Sequence, residues 1–268
     1  MSRIATRFEA LRAAGRKALI PYITAGDPQP AVTVPLMHAL VEAGADILEL
    51  GVPFSDPMAD GPVIQAACER ALKHHVSLHQ VLDMVRSFRE RDAETPVVLM
   101  GYLNPVEVMG YQAFSEAAQA AGVDGVLTVD LPPEEAHELV ACMKAQQLDP
   151  IFLAAPNSDA TRIRLMTENG GGFLYYVSFK GVTGANRLDV QAVQDKLNEI
   201  RANTDLPVGV GFGISDAETA AQIAAFADAV VVGSVLVKRV AALAGQPDQI
   251  PLQAPQVIAE MRAAMDAV

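Results

Sequence analysis

Two hydrophobic patterns alternate along this chain. Short runs that are uncharged or nearly so, rich in Val, Ile and Leu and closed by turn residues, read as strands buried on both faces. They are LIPYIT at 19–24, DILEL at 46–50, PVVLMGY at 96–102, GVLTVD at 125–130, PIFLAA at 150–155, FLYYVS at 173–178, PVGVGF at 207–212 and DAVVVG at 228–233. Between them lie segments of helical pattern at 30–43, 63–75 with 78–89, 114–121, 133–147, 159–168, 189–202 and 216–226, and a closing one at 254–267. Asp27 before Pro28, Pro132-Pro133 before Glu134-Glu135, Ser158-Asp159 and Ser215-Asp216 with Glu218 read as helix entries. Gly44 and Gly122, in EAGADILE and AAGVDGVL, read as helix ends turning into the next strand.

Eight strands, each followed by a helix, predict an α/β fold of the closed (β/α)8 TIM-barrel type. The alternative is an open doubly wound sheet, whose dinucleotide-binding version would carry GxGxxG after the first strand; that motif is absent. An extra N-terminal helix at 2–14 is expected to cover the bottom of the barrel. An extra short helix is expected right after strand eight. No linker or shift of composition divides the chain, so 1–268 reads as a single catalytic barrel domain.

Composition narrows the function. With 51% hydrophobic and 19% charged residues the chain is not a disordered one. Lys plus Arg number 20 and Asp plus Glu 32, a formal charge of −12, which disfavours nucleic acid and anionic membranes as partners. A phosphate bound here is therefore expected to be a single group held by backbone amides. Uncharged apolar runs such as 229–237 are only about half the length of a membrane helix, and the charged, amphipathic start MSRIATRFEALRAAGRK lacks an export pattern. A cytoplasmic location is the expectation. Cys68 and Cys142 read as core filler, and the five histidines make no cluster of metal-ligand spacing.

A barrel carries its chemistry at the C-terminal ends of its strands and in the loops that follow. Glu49 lies inside an apolar strand, so it must be paired or point inward, and burial without a cation would raise its pKa toward that of a general acid/base. The competing role is a structural glutamate bonded to a neighbour. Asp60, in the loop GVPFSDPMADGP on the same face, is either a second functional carboxylate or the N-cap of the helix that starts near Pro62. Glycine segments follow strands six, seven and eight: GVTGA at 181–185, GFGISD at 211–216 and GSVLV at 233–237. Amides at the start of a helix attract a dianion, and such segments after strands seven and eight suit a phosphate cup.

These strings together carry a likeness. ELGVPFSDPMADGPVIQ, with LIPYITAGDP, MGYLNPV, GVDGVLTVDLPPEE, FLYYVS, GVTGA, VGVGFGIS and VVVGSVLV, closely resembles the tryptophan synthase alpha chain family, in order, from about residue 16 to 240. The resemblance implies a (β/α)8 barrel lyase that cleaves indole-3-glycerol phosphate to indole and glyceraldehyde 3-phosphate by a retro-aldol step, with no cofactor in this chain. It implies Glu49 and Asp60 as the catalytic pair. By the same carry-over Gly184, Phe212, Gly213, Gly233 and Ser234 look like the phosphate cup. Tyr22, Met100, Leu127, Val129, Leu153, Tyr175 and Phe212 look like the walls of an indole slot, with Thr183 on a closing loop. It further implies a beta chain partner carrying pyridoxal phosphate, in an αββα heterotetramer, with Pro53, Phe54 and Asp56 partly in the contact. Tyr22, Met58 and Met100 stand where Phe or Leu is common. Phe179-Lys180 precedes GVTG where many members carry Arg and a small residue. Related barrels acting on indole or ribose phosphates rely on other groups, such as a strand-end lysine, and no lysine lies in any predicted strand. A non-catalytic subunit would be expected to lack Glu49 or Asp60.

Overall fold

Residues 2–177, 190–211 and 213–268 are described by a computed structural model of the chain. Its first strand, β1 (Ala18–Thr24), is buried at every position, and its side chains divide between two cores. Ala18 and Ile20 face inward with Ile47, Val98, Leu127 and Val231, whereas Leu19 and Ile23 face outward toward the helices. A strand covered on both sides needs apolar residues at every position, which is why these segments read as unbroken runs.

The remaining strands are β2 (Leu48–Gly51), β3 (Val97–Gly101), β4 (Gly125–Thr128), β5 (Asp149–Ile151), β6 (Leu153–Ala154), β7 (Leu174–Val177), β8 (Val208–Gly211) and β9 (Ala229–Val232). All pair in parallel, in the order β5-β4-β3-β2-β1-β9-β8-β7-β6. The two ends of that order are neighbours in the chain, separated by Phe152, whose carbonyl accepts the Tyr175 N–H at 3.0 Å. The predicted fifth strand, 150–155, is thus split: its first half pairs with β4 and its second with β7, completing the barrel.

The helices are α1 (Arg3–Ala13), α2 (Pro30–Glu42), α3 (Pro62–Leu72), α4 (Leu78–Arg89), α5 (Leu103–Met109), α6 (Tyr111–Ala121), α7 (His137–Ala145), α8 (Ala160–Asn169), α9 (Val190–Arg201), α10 (Ala217–Ala224), α11 (Ser234–Ala242), α12 (Ile250–Gln253) and α13 (Gln256–Met265). Helix α1 inserts Ile4, Phe8 and Leu11 among the inward residues of the strands, so it plugs the bottom as its pattern predicts. Asp159 and Asp216 cap α8 and α10 through their side chains. Two predicted entries differ. Pro132 to Glu135 closes a turn, with Glu135 N–H on the Pro132 carbonyl, and α7 starts only at His137. Asp27 caps nothing: both of its oxygens accept from Arg70 of α3, at 2.6 and 2.9 Å, and α2 begins at Pro30 after an extended Gln29. Helix α5 has no counterpart in the predicted pattern. Among the described residues, no helix is long and apolar enough to cross a membrane.

Candidate active site

Residue alternation places the inward side chains near the C-terminal strand ends in one row. In the barrel register Tyr22 of β1 stands beside Glu49 of β2, and Glu49 beside Val98 of β3. Leu48 and Leu50 turn to the outer core, so Glu49 must turn inward. It opens on a cavity of about 220 Å³ lined by Tyr22, Glu49, Asp60, Met100, Tyr175, Val231, Gly233, Ser234 and the start of α3 from Gly61 to Ile64. Seven of the predicted site residues therefore meet there: Glu49, Asp60, Tyr22, Met100, Tyr175, Gly233 and Ser234.

Glu49 is 1% exposed, and its Oε1 has no hydrogen-bond partner among the described residues. The structural alternative, a glutamate satisfied by a neighbour, does not describe that oxygen. Burial, with the Asp60 carboxylate adding to it, pushes the Glu49 pKa up to about 8. At neutral pH this carboxyl group holds a proton that it can give away and take back, which is what a general acid/base requires. Burial also pushes Asp60 up, but Tyr102 pulls it back by donating its phenolic O–H to Oδ2 at 3.0 Å. Asp60 is not a helix cap: the N-cap of α3 is Gly61, with no side-chain bond. Two unlike environments thus separate the two acids: burial raises both, but among the described residues only Asp60 has a hydrogen-bond donor that opposes the rise.

Two tyrosines make the flat walls, and glycines on neighbouring strands make room for them. The Tyr22 ring runs over Gly51, where a Cβ would stand 2.1 Å from its hydroxyl, and that hydroxyl meets Thr24 Oγ1 at 3.1 Å. Tyr175 lies in the same way over Gly211, at 2.0 Å from the position of a Cβ. Burial, increased by Glu49 and Asp60, pushes the Tyr175 hydroxyl well up, so it stays a neutral donor. On the third side, Gly233 follows β9 and serves as the N-cap of α11 without a side-chain bond. The first amides of α11 have no intrahelical acceptor and stand at the cavity with Ser234.

The other predicted residues fall elsewhere. Gly213 is exposed in the turn after β8, with φ +80. Leu127, Val129 and Leu153 belong to the inner core of the barrel and are not among the cavity's lining residues. Thr183, Gly184, Phe212 and the pair Phe179-Lys180 lie outside the described residues. Sequence reasoning missed the first turn of α3, which roofs the cavity with Val63 and Ile64 packed on Tyr22 and Val237. Its signal was present, since a helix entering directly behind Asp60 must start at the barrel mouth. Tyr102 was missed as well.

The fold and the unpartnered acid at its mouth define a (β/α)8-barrel enzyme. Over residues 8–266 the chain matches the family profile described as tryptophan synthase alpha chain. It belongs to that family, whose members are the carbon–carbon lyases that release indole from indole-3-glycerol phosphate in tryptophan biosynthesis. The tryptophan synthase alpha chain of Thioalkalivibrio sulfidiphilus is 68% identical over 99% of this chain and 100% of its own. That of Methylococcus capsulatus is 62% identical over the full length of both. Among solved structures, tryptophan synthase subunit alpha from Legionella pneumophila superposes with a TM-score of 0.93 at 45% identity, covering 100% of each chain.

Proposed function

We propose that Glu49 is the proton shuttle and Asp60 the ring-nitrogen acceptor of the cleavage, with the 1–268 chain acting as one catalytic barrel. The bond to be broken joins C3 of indole to the glycerol phosphate side chain. Its electrons can leave toward the ring only after C3 has become tetrahedral and the ring has become an indoleninium. Protonated Glu49 gives its proton to C3, and Asp60, accepting the ring N–H, stabilises the positive charge that results. Glu49, now ionised, takes the proton of the adjacent side-chain hydroxyl. The C–C bond then breaks, its electron pair restores the indole ring, and the aldehyde of glyceraldehyde 3-phosphate is left. The proton count closes, since Glu49 ends as it began, and the step asks for no cofactor in this chain.

The phosphate is assigned to the first amides of α11 at Gly233 and Ser234, with Gly213 and, outside the described residues, Gly184 and Phe212. Amides and a helix N-terminus suit a dianion in a protein whose net charge is −12. Tyr22, Met100 and Tyr175 flank the flat ring, backed by Leu127, Val129 and Leu153, with Thr183 on the loop that closes. In keeping with the family, the partner is a beta chain, in an αββα assembly, that carries pyridoxal phosphate and receives the indole. Pro53, Phe54 and Asp56 lie on the loop assigned to that contact. A cytoplasmic location follows from the biosynthetic role.

The single observation that carries this reading is the buried, unpartnered Glu49 facing the same cavity as Asp60 and the α11 N-terminus. Its test is incubation with indole-3-glycerol phosphate, with and without a beta chain, following indole. Glu49→Gln is expected to keep the fold and lower indole release by about 10² or more through lost proton transfer. Near-normal release by that variant would remove Glu49 from the mechanism.

A further inference from the structure

The loop at 53–60 is fastened to one side chain that the reaction as written does not use. Tyr102 directly follows β3, is 4% exposed, and is the N-cap residue of α5. Its ring stacks on Phe54 at the start of the loop, with centroids 5.2 Å apart and planes 28° apart. Its oxygen meets the end of the loop twice: it accepts the Ala59 N–H at 3.0 Å and donates to Asp60 Oδ2 at 3.0 Å. A separate residue, Gln65 of α3, holds the same loop by its backbone alone, donating to the Asp60 carbonyl at 2.8 Å and the Pro57 carbonyl at 3.3 Å.

The direction of these bonds has a chemical consequence. A phenol has one proton, and an amide N–H can only donate. With Ala59 N–H on one of its lone pairs, Tyr102 sends its proton to the carboxylate. Among the described residues it is the one side-chain donor that Asp60 has. It occupies one of the acceptor sites of the carboxylate and fixes its orientation, leaving the others for a donor arriving from the cavity that Asp60 lines. It also stabilises the ionised form of Asp60, the form that can accept a ring N–H.

We propose that Tyr102 is a positioning residue of the cleavage, favouring the ionised form of Asp60 and orienting its carboxylate for the indole nitrogen. The inference rests on the reading of Asp60 as the ring-nitrogen acceptor. Gluing the loop in place is a different role, one that Gln65 shares, and the two roles separate experimentally.

Rate against pH is measured for the full-length chain with indole-3-glycerol phosphate, for Tyr102→Phe, Gln65→Ala and Asp60→Asn. Tyr102→Phe keeps the ring on Phe54 and removes only the hydroxyl. Its kcat/KM is expected to fall about tenfold on the acid side of the profile, below the pH at which Asp60 protonates, and little above it. The acid limb, where Asp60 protonates, is expected to move up by about one pH unit, the size of a lost hydrogen bond to a charged group. Gln65→Ala is expected to leave that limb within about 0.3 unit, because it does not touch the carboxylate. An acid limb unmoved in Tyr102→Phe, or moved equally in Gln65→Ala, overturns the inference. Asp60→Asn separates the two levels. If it cleaves substrate at the wild-type rate, the role of Asp60 fails and this inference with it. If it is impaired while the Tyr102→Phe limb stays in place, only the inference fails.

Discussion

The two ends of the barrel treat buried acids in opposite ways. At the bottom, two buried aspartates and a third, partly exposed one stand just before strands, and each is consumed by the structure. Asp46 accepts the Leu19 N–H at the start of β1 and pairs with Arg262 of α13 at 3.1 Å. Asp124 accepts the Val97 N–H of β3 and pairs with Arg89 and Arg3. Asp228 accepts the Val208 N–H of β8 and pairs with Arg201. The device is the same each time: a residue just before one strand accepts the first or second amide of the strand before it, and an arginine from a helix neutralises the charge. At the mouth, Glu49 has, among the described residues, no cation and an oxygen with no partner. Asp46 and Glu49 are three residues apart in ADILEL, one just before β2 and one on it, and almost equally buried. Burial pushes both carboxyl groups up, but Leu19 and Arg262 pull Asp46 back, and nothing opposes the rise of Glu49. What distinguishes a free acid from a satisfied one is therefore not burial but the partners that burial supplies.

The sharpest way to break this comparison is to remove the partner set at the bottom. Asp46→Ala leaves the Leu19 amide without an acceptor and deprives buried Arg262 of one of its anions, Asp266 and the Lys17 carbonyl remaining. A loss of about 3 kcal/mol in unfolding free energy is expected, with the kcat of the folded protein near wild type at low temperature. Urea titration and an indole assay on the same sample separate the two. A kcat loss without a stability loss would place Asp46 in the wrong half of the comparison.

Glu49→Gln is the converse, a change at the mouth that should stabilise. A Glu49 pKa of about 8 in the fold against 4.5 in an ordinary environment means the folded chain binds more protons between those values. Stability then falls as pH rises from about 4.5 to about 8 and stays low above that. Glutamine has no charge to lose. The gap in unfolding free energy between the variant and the wild type should widen in favour of the variant, by on the order of a few kcal/mol, from pH 4.5 to pH 9. A gap that does not change with pH would mean that Glu49 is solvated or paired, contrary to its geometry.

Much of this contrast is legible along the chain, and its limits have physical causes. Glu49 stands out because an acid amid outward-facing leucines can only turn into the barrel, and parity of position settles that. The strands stand out because burial on both faces forbids charge. Phe152 is different: whether a strand pairs with one neighbour or two depends on the closure of the ring, which leaves no mark in local pattern. LNPVEVM forms a helix despite its internal proline because Pro105 falls in the first turn, where its missing N–H costs little. Asp27 looks like a cap beside Pro28, but its bidentate partner Arg70 lies 43 residues away. Tyr102 meets Asp60 across 42 residues, and at a strand end a tyrosine reads as one more apolar position. The side chains that position the acids come from distant segments, whereas the acids themselves are placed by local parity.

The smallest expected effect tests whether the three bottom pairs are graded by burial. In the Arg262–Asp46 pair the side chains are 8% and 6% exposed, whereas in the Arg201–Asp228 pair they are 36% and 28% exposed. Water screens the second pair and would solvate either charge if the other left. Arg201→Gln also keeps the bond from the Val208 N–H to Asp228, so the strand cap survives. The expected loss is about 0.5 kcal/mol, a fall of about 1–2 °C in melting temperature for a chain of this length. Differential scanning calorimetry beside Asp46→Ala reads both on one scale. If Arg201→Gln cost as much as Asp46→Ala, the arginines rather than the amide caps would carry the stability, and the bottom ring would be an electrostatic device instead of a hydrogen-bonded one.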